Sequence, residues 1–375
     1  MKEKKKLVSV AVRLSVMVCT VFLAVFFESA TKQIITQLAI LSVKSYLPER
    51  GITLVMETEE TTTTETKTEP VKPTSSEAAV VNLKSDILTE VDSDIQKLIK
   101  NAQKQGDKDK KDGDIYEYTF TDDGVTDSFG NVRVKNTNKT QIDIESKLKE
   151  ELVIPNAQEG PSVLLYHTHT TETYQLLDRD FYAQGFLTRS NDENLNMIRV
   201  GKAVKEELEK MGINVIHDTA VYDSPYSGAY YRSMDAAEAY LEKYPSIKIT
   251  IDLHRDAIQD NSGVKTKPVA VIDGKKAAQI MIITGCQEEG NGITDLPQWE
   301  QNLTFALKLQ QSMETLYPGL TRPVFFCARS YNMGLTPYSL LVEMGTDANT
   351  LDEAVYSGKM LGRALAKVIE ESTKQ

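Results

Sequence analysis

Hydrophobic and polar positions divide the chain into stretches of very different character. Leu7 to Phe27 is a run of roughly 21 residues whose only charge is Arg13; at ~1.5 Å per residue it spans about 31 Å, enough for a bilayer core. Thr31 to Leu47 sets Ile34, Ile35, Leu38, Leu41 and Val43 at near-helical intervals, as a continued or membrane-surface helix would. Glu57 to Glu77 is rich in threonine and glutamate, contains Pro70 and Pro73, and has almost nothing to bury, so it reads as a flexible stalk. Asp86 to Lys100 returns to helical spacing through Ile87, Leu88, Val91, Ile95, Leu98 and Ile99, and Asn101 to Asp114 is a charged breaker expected to form a loop. Asn131 to Ile144 alternates through Val132, Val134, Ile142 and Ile144, which predicts a small strand pair.

From residue 156 onward strand-like and helix-like segments take turns. Val163–His167, Ile213–His217, Ile247–Leu253, Ala278–Ile283, Val324–Cys327 and Leu340–Glu343 are short apolar runs suited to buried strands. Asn194–Met211, Met234–Lys243, Glu300–Leu316 and Leu351–Glu371 carry helical periodicity between them. The alternation predicts an α/β fold with a mostly parallel central sheet flanked by helices. Three regions are expected: a tip and transmembrane anchor over 1–30, a juxtamembrane helix, stalk and pre-domain over 31–130, and a main domain over 131–375.

Charge refines this picture. With 43 Lys+Arg against 54 Asp+Glu the net charge is −11, which disfavours nucleic acid as a partner because phosphate neutralisation needs a basic face. Lys2, Lys4, Lys5 and Lys6 precede the apolar run and Glu28 follows it, so the N-terminus is expected in the cytoplasm and the body outside a single-pass cell-membrane anchor. A cleaved leader is the rival: Ala24 and Ser29-Ala30 offer small residues, while Phe26 and Phe27 spoil an A-x-A site. Three cysteines without a CxxC pair rule out a disulfide framework and a Cys-rich zinc site.

In α/β sheets functional groups gather at the carboxyl ends of strands. There the sequence places His167-Thr168-His169-Thr170-Thr171-Glu172, His254-Arg255-Asp256 and Glu343-Met344-Gly345, so that three of the four histidines stand at two strand ends. Imidazoles and a carboxylate at one sheet edge are what a catalytic zinc site requires. The bland alternatives are concrete: Glu172 as a first-turn acid, Glu343 as a cap for the last helix, and His217 as a hydrogen-bonded histidine with Asp218 beside it. Asp252 and Asp256 flank His254 and could accept from its ring or pair with Arg255. Tyr222, Tyr226, Tyr230 and Tyr231 around Gly228 read either as a loop rim facing sugar or as ordinary packing.

At YHTHTTETY, DLHRDA and VEMGTDANT, over roughly residues 130 to 375, the chain resembles the stage II sporulation protein P family of membrane-anchored cell-wall hydrolases. The resemblance implies kinship with zinc-dependent N-acetylmuramoyl-L-alanine amidases and a fold of that kind. It implies Zn2+ held by His169 and His254, with Glu343 as a catalytic group in the late Glu-x-Gly. Typical amidases carry the ligand glutamate where Asp192-Glu193 stands, but Glu172, three residues after His169, is the preferred third ligand and Glu193 its substitute. His167 has no amidase counterpart and is read as an alternative or outer ligand, and Arg255 as a catalytic group for an oxyanion or stem-peptide carboxylate or as a salt bridge. The resemblance also implies peptidoglycan as substrate, endopeptidase cleavage of crosslinks as a second activity, and stage II sporulation proteins D and M as partners in septal thinning and engulfment. A tethered peptidoglycan-binding scaffold without catalysis, and a metal-dependent phosphoesterase, are the competing readings.

Overall fold

The computed structural model describes residues 89–106, 108–154 and 160–373; the expected anchor, juxtamembrane helix and stalk lie outside them. Among the described residues no helix is long and apolar enough to cross a membrane. The strands are β1 (Lys111–Tyr118), β2 (Asp127–Phe129), β3 (Val132–Asn136), β4 (Val163–Tyr166), β5 (Phe181–Ala183) and β6 (Val215–His217). They continue with β7 (Ile249–Asp256), β8 (Lys265–Ile272), β9 (Lys275–Ala278), β10 (Ile280–Gly285), β11 (Val324–Cys327) and β12 (Tyr338–Thr346). The helices are α1 (Ser93–Gly106), α2 (Ile144–Lys149), α3 (Met197–Lys210), α4 (Ala229–Lys243), α5 (Trp299–Leu316) and α6 (Leu351–Thr373).

Eight strands form the main sheet in the order β2-β3-β11-β10-β12-β7-β4-β6. Parallel pairing predominates, as expected, but β2 runs against β3 and β10 against β12, so the sheet is mixed. Strand alternation sorts side chains to two faces. Val163 and Leu165 of β4, Ile249, Ile251 and Leu253 of β7 and Val342 and Met344 of β12 join the core built with α3, α5 and α6. Leu164 and Tyr166 instead meet Ala237, Tyr240 and Leu241 of α4 on the opposite face. Burying each such aliphatic side chain contributes roughly 1.5–3 kcal/mol, and these two apolar layers hold the sheet between helices.

Local signals set the helix ends. Asn196 caps α3 by accepting from Ile198 N–H at 3.0 Å. Thr350 and Glu353 form a reciprocal box at the start of α6: Glu353 N–H donates to Thr350 Oγ1 at 3.2 Å and Thr350 N–H to Glu353 Oε2 at 3.0 Å. The cap of the last helix is therefore Thr350 with Glu353, which leaves Glu343 available for another task.

Three expectations need correction. A second sheet, β5-β1-β8-β9, was not foreseen, and it draws β1 out of the segment expected to be a loop. Ile95 of α1 is fully buried in the main core, and Asp92 and Asp94 clasp Arg199 of α3 at 2.6 and 2.8 Å while Lys359 of α6 reaches Asp92 at 2.5 Å. The body thus includes α1 and β1, ahead of the expected boundary at residue 131. Further, Ile142 lies beyond β3 and Ile144 opens α2, so the predicted strand pair is instead β3 with β2.

Candidate active site

The strands β4, β7 and β12 are adjacent and mutually parallel, so their carboxyl ends share one edge. Glu343 of β12 and His254 of β7 are paired residues in that register. Both lie one step from residues that face α3, α5 and α6, so both side chains leave the sheet on the α4 face. His167, one step beyond Tyr166, leaves on the opposite face and is fully buried against α3, where a Cβ on Gly201 would lie 2.7 Å from its Nε2. The chain then turns: Glu172 N–H donates to His169 O at 3.2 Å, and Thr168 donates to Asp252 from both its N–H (2.8 Å) and its Oγ1 (2.6 Å). This turn carries His169 across to His254, with ring centres 5.2 Å apart and planes at 81°.

The electrostatics of the cluster follow from burial. His169 is lowered to about 4 by desolvation, then by His254 and Arg189, so its ring is neutral. Burial opposes charge on His254, yet Asp252, Glu172 and Glu343 outweigh it and raise the ring to about 9. Asp252 Oδ1 lies 2.9 Å from His254 Nε2 but off the line of a ring N–H, so the contact is an attraction of charges and Nε2 has no aligned hydrogen bond. Desolvation pushes Glu343 up to about 8, with His254 pulling the other way. Desolvation also raises Glu172, opposed by Arg255 and His254.

The residues expected to act at the site separate clearly. His169, His254 and Glu343 converge, and three of their buried atoms have no hydrogen-bond partner: His169 Nδ1, His254 Nε2 and Glu343 Oε2. Nitrogen and carboxylate donors left open in this way have the chemistry that zinc takes. Glu172 is buried close to His254, but its Oε2 accepts from Arg255 N–H at 3.1 Å and its Oε1 lies 3.4 Å from Arg189. Among the described residues no three His, Cys, Asp or Glu side chains are gathered to enclose a metal ion. Glu193, the alternative, sits exposed on the turn ahead of α3.

His167 does not suit a ligand role: its Nδ1 meets Leu253 O at 3.1 Å and its Nε2 meets His217 Nε2 at 2.8 Å. Leu253 O can only accept, so His167 donates from Nδ1 and accepts at Nε2, and His217 is its donor. Arg255, expected to stabilise an oxyanion, is buried, and its guanidinium donates to the carbonyls of Thr173, Thr188 and Asp256. It is a strut that fixes the 172–188 segment. Asp256 pairs with Arg322 at 2.9 Å.

Sequence reasoning missed Arg189 and Asp223. Asp223 accepts from Thr171 Oγ1 at 2.6 Å and pairs with Arg189, bracing the histidine turn. Neither residue follows a strand, so nothing local marked them. The tyrosines divide: Tyr226 stacks on His169, Tyr230 on His254 and on Tyr331, Tyr222 is buried with its hydroxyl on Asp218, and Tyr231 is exposed. Tyr331 and Asn332 hold positive φ values of 41° and 57°, and Asn332 Nδ2 donates to Tyr230 O at 2.9 Å. For a tyrosine that backbone costs about 1–3 kcal/mol, and the contacts with α4 sustain it.

Comparison with known proteins gives three results. The family model for Stage II sporulation protein P (SpoIIP) matches residues 44–366. Stage II sporulation protein P of Bacillus subtilis (strain 168) is 27% identical over 226 residues, 55% of this chain and 52% of that protein, so the match spans about half the relative's length. Among solved structures, the N-acetylmuramoyl-L-alanine amidase AmiC2 of Nostoc punctiforme aligns over 58% of this chain and 99% of its own at 12% identity and a TM-score of 0.35. The CwlD amidase of Clostridioides difficile, in complex with the GerS lipoprotein, aligns over 57% and 98% at 10% identity and a TM-score of 0.36.

Proposed function

The chain belongs to the stage II sporulation protein P family, and on that footing we propose that it is a membrane-anchored, zinc-dependent peptidoglycan hydrolase acting in sporulation. The bond cleaved is the amide between the lactyl group of N-acetylmuramic acid and L-alanine. The observation that carries the reading is the meeting of His169 and His254, 85 positions apart in the sequence, at 5.2 Å between ring centres with Glu343 in register beside them.

His169 and His254 would hold the ion, with Glu172 swinging from its hold on Arg189 as the third donor. Zinc bound there supplies Lewis acidity, which activates water near neutral pH and polarises a carbonyl. Glu343 takes the proton of the attacking water and delivers it to the leaving amine, so that amide plus water yields acid plus amine. A carboxyl raised to about 8 exchanges protons near neutral pH, and such transfer contributes typically 10²–10⁴-fold. Asp252 steadies His254, and Arg255 steadies the segment that carries Glu172.

Cleavage of peptide crosslinks as a second activity, septal thinning and engulfment as the setting, an extracytoplasmic body, and stage II sporulation proteins D and M as partners complete the proposal. Mass spectrometry of digested peptidoglycan tests it. Release of stem peptides with denuded glycan, lost in His254→Ala, is expected; intact lactyl-peptide bonds with the wild-type protein refute the amidase. Absence of zinc from the purified wild-type protein would favour a tethered wall-binding scaffold instead.

A further inference from the structure

A metal-binding histidine is ordinarily oriented by a hydrogen bond from its second ring nitrogen to a carboxylate or carbonyl. His254 has the Asp252 carboxylate beside its ring as a charged neighbour, 2.9 Å from Nε2. His169 has no carboxylate in such contact among the described residues, and its buried Nδ1 has no hydrogen-bond partner. Its ring is instead enclosed by aromatic faces and edges. Tyr226 lies parallel to it, centres 4.7 Å apart and planes 4° apart, while Tyr230 and His254 meet it edge-on at 5.6 and 5.2 Å.

Tyr226 is an unusual residue to find in this role, since it is 60% exposed and sits in the turn just ahead of α4. What restrains it is a cation: the guanidinium carbon of Arg189 is 4.9 Å from the ring centre. Arg189 is itself fastened to Asp223, whose side chain is fully buried, and to Glu172. The turn beneath is closed by Arg232, which donates to the carbonyls of Tyr222, Pro225 and Ser227. Arginine, tyrosine and histidine therefore make a column whose inner member is the His169 imidazole.

We propose that Tyr226 is the positioning residue for His169, setting the imidazole plane by stacking where a hydrogen bond would otherwise do so. Any aromatic ring at position 226 serves, and the hydroxyl is dispensable. This rests on the zinc reading of His169 for its functional meaning, but the stacking itself is testable without metal.

The test uses full-length wild type, Tyr226→Phe, Tyr226→Ala and Tyr226→Leu, the last keeping bulk without a π face. In metal-free protein the His169 ring carbon-bound protons, followed by ¹H–¹³C NMR, should be shifted upfield by the tyrosine ring current in wild type and Tyr226→Phe. They should return to ordinary positions in Tyr226→Ala and Tyr226→Leu. Zinc affinity by chelator competition should match wild type in Tyr226→Phe and fall about 10–100-fold in the two non-aromatic variants, with unchanged thermal melting. Wild-type affinity in Tyr226→Leu, or an unshifted His169 ring in wild type, overturns the proposal. If wild type takes up no zinc, the metal reading fails on its own and the ring-current result alone decides the role of Tyr226.

Discussion

Glu343 keeps its proton up to about pH 8 in the folded protein, whereas an ordinary glutamate gives it up near 4.5. Between those values the folded state binds more protons than the unfolded one, so stability falls as pH rises from about 4.5 to about 8 and levels off above. Replacing it by glutamine removes that slope. The urea midpoint of metal-free Glu343→Gln at pH 8, taken relative to pH 5, should therefore be higher than the same difference in wild type, because the opposing slopes of His254, raised to about 9, and His169, lowered to about 4, are common to both proteins; an unchanged difference would mean that the carboxyl is solvated. Arg255→Met should lose about 2–3 kcal/mol of stability in the same assay, because the buried Thr173 carbonyl and the part-buried Thr188 and Asp256 carbonyls lose the guanidinium they share; a loss of activity at full stability would restore the residue to chemistry. At this scale His169, His254 and Glu343 were legible because each stands at or just past the end of an apolar run. His167 was not: its side depends on where β4 stops, at Tyr166, one residue earlier than the apolar run suggested.

Helix α3 shows how an element serves the site it does not touch. Its Gly201 lies against the His167–His217 pair, and a Cβ there would be 2.5 Å from His217 Nε2. Gly201→Ala gains about 1 kcal/mol of helix propensity but must push the helix outward, and overpacking costs typically 1–3 kcal/mol. We expect a lower melting temperature despite the better helix former, checked by calorimetry; a higher one would show that the imidazoles yield. Gly345 has a similar constraint, since φ is 72° and a Cβ would lie 2.5 Å from Asn349 Oδ1, which holds Thr346 N–H after the register shift that follows Glu343. The main-sheet strands other than β2 and four large helices could be read from periodicity, α5 and β11 almost to the residue. The second sheet could not, for β1 buries only Ile115 and β8 buries Lys267 completely, neutralised by Glu353 at 2.8 Å and by Asp178 and Glu117. A buried lysine amid apolar residues reads as a surface strand until its acids are placed around it.

For the whole molecule, the boundary matters most. A chain beginning at residue 131 would lack β1, which lies between β5 and β8, and Ile95 from the core. We expect fragment 131–375 to aggregate and fragment 89–375 to melt cooperatively, as light scattering and thermal unfolding would show; equal behaviour would make α1 and β1 accessory. The domain edge was hidden because the polar run Asn101–Asp114 resembles a linker, while ion pairs far apart in sequence bind its flanks. Those pairs have a mechanical meaning. Any tension on the chain upstream of residue 89 enters through Asp92 and Asp94, and passes by way of Arg199 and Lys359 into the flanks of α3 and α6. A pull arriving at residue 89 is thus taken up by helices on the face of the sheet opposite His254 and Glu343.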